Sequence, residues 1–221
     1  EIAEGSLLDA GDYDLEVATG DDAETVATLV LEERSTDSQT VWTAPTGDAA
    51  DFSESADVYD AIDSENLTQT DAVANGDVVV HQVVATGLEG AFDAKDFDTL
   101  AGSEFNLTVE QSNPGPNRNP KVLNTSAATV IADGENDTYF FVYDLDNVNT
   151  SRTDYYDSDA EQFDVEDEDA YNATFTVFED GNLTDVEDGE SASAEFEVVE
   201  PELSLDEDPI QPFRFGLRLD P

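Results

Sequence analysis

The sequence predicts a mainly β fold in which antiparallel strands stack as a sandwich. Residues 105–110 alternate strictly, with Phe105, Leu107 and Val109 against Asn106, Thr108 and Glu110. That is the pattern of a strand with one buried face. Residues 77–86 are apolar on both faces, as in a central strand covered on both sides, and residues 139–143 are five consecutive bulky residues within a further strand. Clusters of Gly, Asn, Asp and Pro punctuate these runs, and residues 112–120 (SNPGPNRNP) form the plainest loop.

Taken in order, residues 12–17 place Tyr13, Leu15 and Val17 on one face and three acids on the other. Residues 25–32 follow across the turn Gly20-Asp21-Asp22, which predicts a hairpin. The opening Ala10-Gly11-Asp12-Tyr13 resembles the tyrosine corner of immunoglobulin domains. The expected class is therefore an immunoglobulin-like antiparallel β-sandwich with short helical turns. Residues 39–44 form a short extended segment carrying Trp42. Residues 55–62 predict a turn or two of helix with Ser55 as N-cap. Strands are expected at 77–86, 105–110, 127–132, 138–144, 171–178 and 194–199. Residues 147–169 read as a long polar surface loop and 179–190 as an acidic turn. This organises the chain as a hairpin segment at 1–45 that closes an upstream immunoglobulin-like domain, a sandwich at 46–205, and a linker with an amphipathic strand at 206–221.

Charge narrows the function. The chain has 221 residues, with 55 Asp+Glu against 7 Lys+Arg and a formal net charge of −48. Nucleic acid and anionic membrane both require a basic face, so neither is a direct partner and no direct membrane insertion is expected. Hydrophobic residues make up 38%, too many for a solvated acidic tail. A folded protein suited to molar salt fits both numbers, with diffuse binding of K+ and Na+ and of Ca2+ or Mg2+. There is no Cys, which excludes disulfides and thiolate metal sites. The chain begins at Glu1 rather than Met, as expected of a processed chain or of part of a longer one.

Seven Asn residues stand in Asn-x-Ser/Thr sequons: Asn66, Asn106, Asn124, Asn136, Asn149, Asn172 and Asn182. Chance would place about two there, so N-linked glycans and an extracellular location are expected. Asn106 and Asn172 fall on outward positions of their strands, where a sugar can be carried.

No catalytic constellation emerges. Carboxylate pairs are everywhere and carry no information. The one histidine, His81, sits within an apolar strand, and no Gly-x-Ser-x-Gly elbow or phosphate loop is present. Asp144, Asp146 and Asn149, with Asp154 beyond, space oxygen ligands as calcium loops do. They lack the Gly and Glu that complete an EF-hand. No cofactor is required.

Residues 210–219 (IQPFRFGLRL) contain no acid, and they place Phe213, Phe215, Leu217 and Leu219 on one face. They are expected to be the last strand here or the first of a following domain. The sharper alternative is strand addition to a neighbouring subunit.

Six ordered blocks are similar to haloarchaeal surface proteins: 31–45 (LEERSTDSQTVWTAP), 76–92 (GDVVVHQVVATGLEGAF), 105–123 (FNLTVEQSNPGPNRNPKVL), 135–146 (ENDTYFFVYDLD), 171–185 (YNATFTVFEDGNLTD) and 193–205 (SAEFEVVEPELSL). The chain resembles that family of secreted, acidic cell-surface glycoproteins, some of which carry a BGTF surface domain. The resemblance implies a modular envelope protein with a signal peptide and a C-terminal membrane anchor. Expected partners are other copies or neighbouring surface-protein domains. The expected function is a non-enzymatic structural subunit of a surface layer or filament. The alternatives are an adhesin that stacks sugars on Tyr155, Tyr156, Phe163 and Tyr171, or a halophilic virus structural protein.

Overall fold

A computed structural model describes residues 9–18, 24–45, 51–89, 104–153, 160–178 and 190–201. Fourteen strands and one α-helix fall among them. The structure is mainly β, as expected.

Strands β1 (Gly11–Ala18) and β2 (Glu24–Leu31) pair with each other in a two-stranded hairpin. Tyr13 Oη donates to the Asp9 carbonyl at 2.7 Å. Leu15, Leu29 and Val30 of this hairpin are exposed.

A five-stranded sheet runs β4-β3-β6-β10-β9, built from β3 (Thr36–Ala44), β4 (Thr68–Gln69), β6 (Val78–Ala85), β9 (Thr129–Asp133) and β10 (Thr138–Asp144). The sequence groups β3 with the hairpin, but β3 hydrogen-bonds along β6. A seven-stranded sheet runs β12-β11-β8-β7-β13-β14-β5. Its strands are β5 (Ala72–Ala74), β7 (Phe105–Gln111), β8 (Val122–Leu123), β11 (Thr150–Thr153), β12 (Ala160–Phe163), β13 (Ala170–Val177) and β14 (Glu190–Val199). Every pairing is antiparallel except that of β14 with β5. The outermost strands are short: β4, β5, β9 and β12 have two, three, five and four residues.

The main core lies between the sheets. Val79, Val83, Tyr139, Phe141 and Tyr143 of one meet Phe105, Leu107, Tyr171, Phe175 and Phe196 of the other. Phe141 and Phe175 rings sit 5.6 Å apart across the interface. The alternate residues Val78, Val80, Phe140 and Val142 pack with Val58, Phe52 and Leu67 in a second cluster. This explains why β6 and β10 read as unbroken apolar runs: one face meets a sheet and the other meets the helix side.

Val58 belongs to α1 (Ser55–Asp63). The helix starts one residue earlier than expected. Glu54 is its N-cap and Ser55 its first helical residue. Asp57 closes the entry, accepting from the Ser53 and Glu54 backbone N–H groups at 3.0 and 3.1 Å. Those bonds, the Ser53 backbone first, hold the Asp57 carboxyl below its usual range. The expected loop at 147–169 is also corrected. It contains β11 and β12, with Val148 and Val165 buried. The apolar signature of β11 is hidden because the residues it buries are Thr150 and Arg152.

Candidate functional site: a sequon-bearing sheet face

The outward face of the seven-stranded sheet is built from the positions that alternate with its core. Asn106, Thr108 and Glu110 on β7 lie opposite Thr176, Thr174 and Asn172 on β13. Thr174 and Asn172 in turn lie opposite Ser193 and Glu195 on β14. The face is therefore a row of amides, hydroxyls and acids, with no helix against it among the described residues.

Four sequons belong to this sheet or its margins. Asn106 and Asn172 are mid-strand and half-buried, while Asn124 and Asn149 are exposed beside β8 and β11. Three of them line a single depression of about 660 Å³, together with their own sequon hydroxyls Thr108, Ser126 and Ser151. Chain connectivity does not bring them together. The pairing of β7 with β8 and of β8 with β11 does. Asn106 Nδ2 donates to Thr108 Oγ1 at 3.1 Å, and Asn124 Oδ1 accepts the Ser126 N–H at 3.1 Å. The Asn124 N–H donates to the Asn149 carbonyl at 2.8 Å. Asn172 is more enclosed, and its Oδ1 is buried without a hydrogen-bond partner.

The other described sequons lie elsewhere. Asn66 follows α1, and its amide donates to Ser64 Oγ at 3.1 Å. Asn136 occupies the turn between β9 and β10, where its amide donates to Asp133 Oδ2 at 2.8 Å. That bond is the first cause holding the Asp133 carboxyl below its usual range. Asn182 lies outside the described residues, as do Asp154 and the strand residues Phe213, Phe215, Leu217 and Leu219.

Of the calcium-like set, Asp144, Asp146 and Asn149 fall among the described residues. Asp144 Oδ2 accepts from Asn147 Nδ2 at 3.0 Å. The Asp146 carboxylate rests against Gly76, where an added Cβ would stand 3.1 Å from its Oδ1. No group of three or more His, Cys, Asp or Glu suited to a metal occurs among the described residues.

His81 is fully buried between the sheets. The Phe175 N–H donates to Gln39 Oε1 at 3.0 Å, which orients that amide. Gln39 Nε2 then donates to His81 Nδ1 at 3.3 Å, which leaves the ring proton on Nε2, 2.8 Å from Tyr143 Oη. Burial lowers the His81 pKa to about 3, so the ring is neutral and structural. Tyr171 is also fully buried and stacks on Phe196 at 5.5 Å, so it offers no platform to a sugar.

Three of the four described cations, Arg34, Lys121 and Arg152, are largely enclosed, a feature the sequence does not reveal. Arg34 pairs with Glu190, joining the start of β3 to the start of β14. Lys121 pairs with Glu166 and, at 2.8 Å, with Asp169. Asp169 also accepts from Gln111 at 2.6 Å and from Tyr171 Oη at 3.1 Å.

The chain is 70% identical over 210 residues, 94% of its length, to a cell surface glycoprotein of Haloferax gibbonsii. It is a homologue of haloarchaeal cell surface glycoproteins. Two further relatives, cell surface glycoproteins 1 and 2 of Haloarcula hispanica, are each 33% identical over more than nine-tenths of this chain. The chain spans 24% of the length of each of the three. No family model matches, and neither does any solved structure. The location these homologues give is extracellular, at the surface of a halophilic archaeal cell.

Proposed function

We propose that this chain is a non-enzymatic structural module of a halophilic surface layer or filament, with the outward face of its seven-stranded sheet covered by N-linked sugar. The carrying observation is the meeting of three sequons in one depression, with a fourth on the same sheet. The two outer faces differ in kind. The five-stranded sheet is covered by protein, through α1 and Phe52. The seven-stranded sheet presents hydroxyls and amides, and Val122, 37% exposed, is the one exposed large apolar side chain among the described residues lining its depression. A hydrated sugar layer suits that surface and needs no enzyme site beneath it. Neighbouring modules join, in this proposal, by strand addition through residues 210–219.

Glycopeptide mass spectrometry of the protein from its native cells should find sugar on Asn106, Asn124 and Asn149. Replacing Thr108, Ser126 or Ser151 with Ala should remove one glycan each and leave the circular dichroism unchanged. Bare asparagines at all three positions would end the proposal. Sedimentation after removal of residues 206–221 tests the joint, and assemblies of unchanged size would exclude it.

A further inference from the structure

Arg34 and Lys121 pair with carboxylates, but the other two described cations make no ion pair with a described residue. Arg118 and Arg152 line one cleft of about 220 Å³ together with Glu161 and Phe163. In a chain of net charge −48, two guanidinium groups share this cleft with one carboxylate among the described residues. Neither makes an ion pair with a described residue.

The cleft is rigidly built. Arg152 is buried, and one of its Nη atoms donates to Gln111 Oε1 at 3.1 Å. Its guanidinium lies 5.2 Å from the centre of the Phe163 ring. Its Nε is buried with no acceptor. Arg118 is carried by the loop between β7 and β8, which is pinned at both ends. Asn119 Nδ2 donates to the Thr153 carbonyl at 2.6 Å. Asn113 donates to the Glu168 carbonyl at 2.7 Å and accepts the Ala170 N–H at 2.9 Å. The exposed Arg118 is thus held over a buried arginine whose hydrogen-bonding capacity is not filled.

We infer that this cleft is a docking pocket for a carboxylate side chain on a second copy of the chain. Guanidinium is the cation whose planar fork matches a carboxylate, and two of them converge here. The partner follows from composition. With 55 Asp+Glu against 7 Lys+Arg, any copy that approaches presents carboxylates. Two such surfaces repel everywhere except where a cationic site opens. In molar salt the Debye length is about 3 Å, so steering at a distance is lost and contact hydrogen bonds of this kind persist. The inference is independent of sugar on the sequons.

The test uses the full 221-residue chain in molar sodium chloride, with arginine side chains labelled for Nε–Hε NMR. The probes are a tetraglutamate peptide, a tetraglutamine peptide and glucuronic acid. Tetraglutamate should shift the Arg118 and Arg152 signals saturably, and tetraglutamine should not. Arg118→Gln, which removes an exposed side chain and leaves the fold intact, should weaken tetraglutamate binding about tenfold. Three results would overturn the inference. Tetraglutamate could leave both signals unmoved, glucuronic acid alone could saturate them, or Arg118→Gln could bind tetraglutamate as tightly as the parent chain.

Discussion

A histidine sealed between two sheets must stay neutral, and its neutrality makes folding depend on pH. His81 accepts from Gln39 and donates to Tyr143 with no room for a second ring proton. Its folded pKa is about 3 against an ordinary value of 6.5. The unfolded chain therefore takes up a proton first as pH falls. The His81 contribution is complete above pH 6.5 and is lost progressively as pH drops towards 3. Between pH 6.5 and about 5 the loss should approach 1.4 kcal/mol per pH unit, roughly the worth of one proton. Denaturant titrations in molar salt should show this slope, and His81→Gln should flatten it. An equal slope in that variant would mean that other groups set the pH dependence. The burial of His81 was legible from the apolar run around it. Its partners were not, because Gln39 and Tyr143 lie far from it in sequence and meet it only through strand pairing and packing.

Elements declared themselves in the sequence when they bury apolar side chains. The alternation of β7 and the unbroken runs of β6 and β10 are visible because Val, Phe and Tyr fill their inward positions. Strand β11 is different. Its inward Arg152 meets Gln111 and Phe163, residues from other strands, so the segment reads as polar loop until those neighbours are known. The sequons show the same division. Each is plain in the sequence, but their convergence depends on the order β11-β8-β7. The unlike coverage of the two sheets predicts unlike costs of substitution. Phe140, fully buried beneath α1 and 5.5 Å from the Tyr59 ring, should cost about 3–5 kcal/mol when changed to Ala. Thr174, on the sequon face opposite Thr108, should cost within about 0.5 kcal/mol. Chemical denaturation of the two variants measures both, and comparable losses would show that the sequon face is packed as tightly as the helix side.

On the scale of the whole molecule, Arg34, Lys121 and Arg152 are enclosed, which leaves Arg118 as the one exposed cation among the described residues. Self-repulsion is screened over about 3 Å in molar salt but extends to about 10 Å near a tenth of that concentration. The chain should hold its β circular dichroism in molar sodium or potassium chloride and lose it on dialysis to low salt. An unchanged spectrum would contradict adaptation to salt. The count of acids alone predicts this behaviour, whereas the internal ion pairs are visible only in three dimensions. One geometrical detail bears on life at high density. Strands β4, β5, β9 and β12, at the rims of the two sheets, are two to five residues long, whereas β6, β7, β10, β13 and β14 within them run from seven to ten. Long open rims would let crowded molecules zip together into cross-β aggregates. Rims this brief keep the two larger sheets of crowded copies from merging edge to edge.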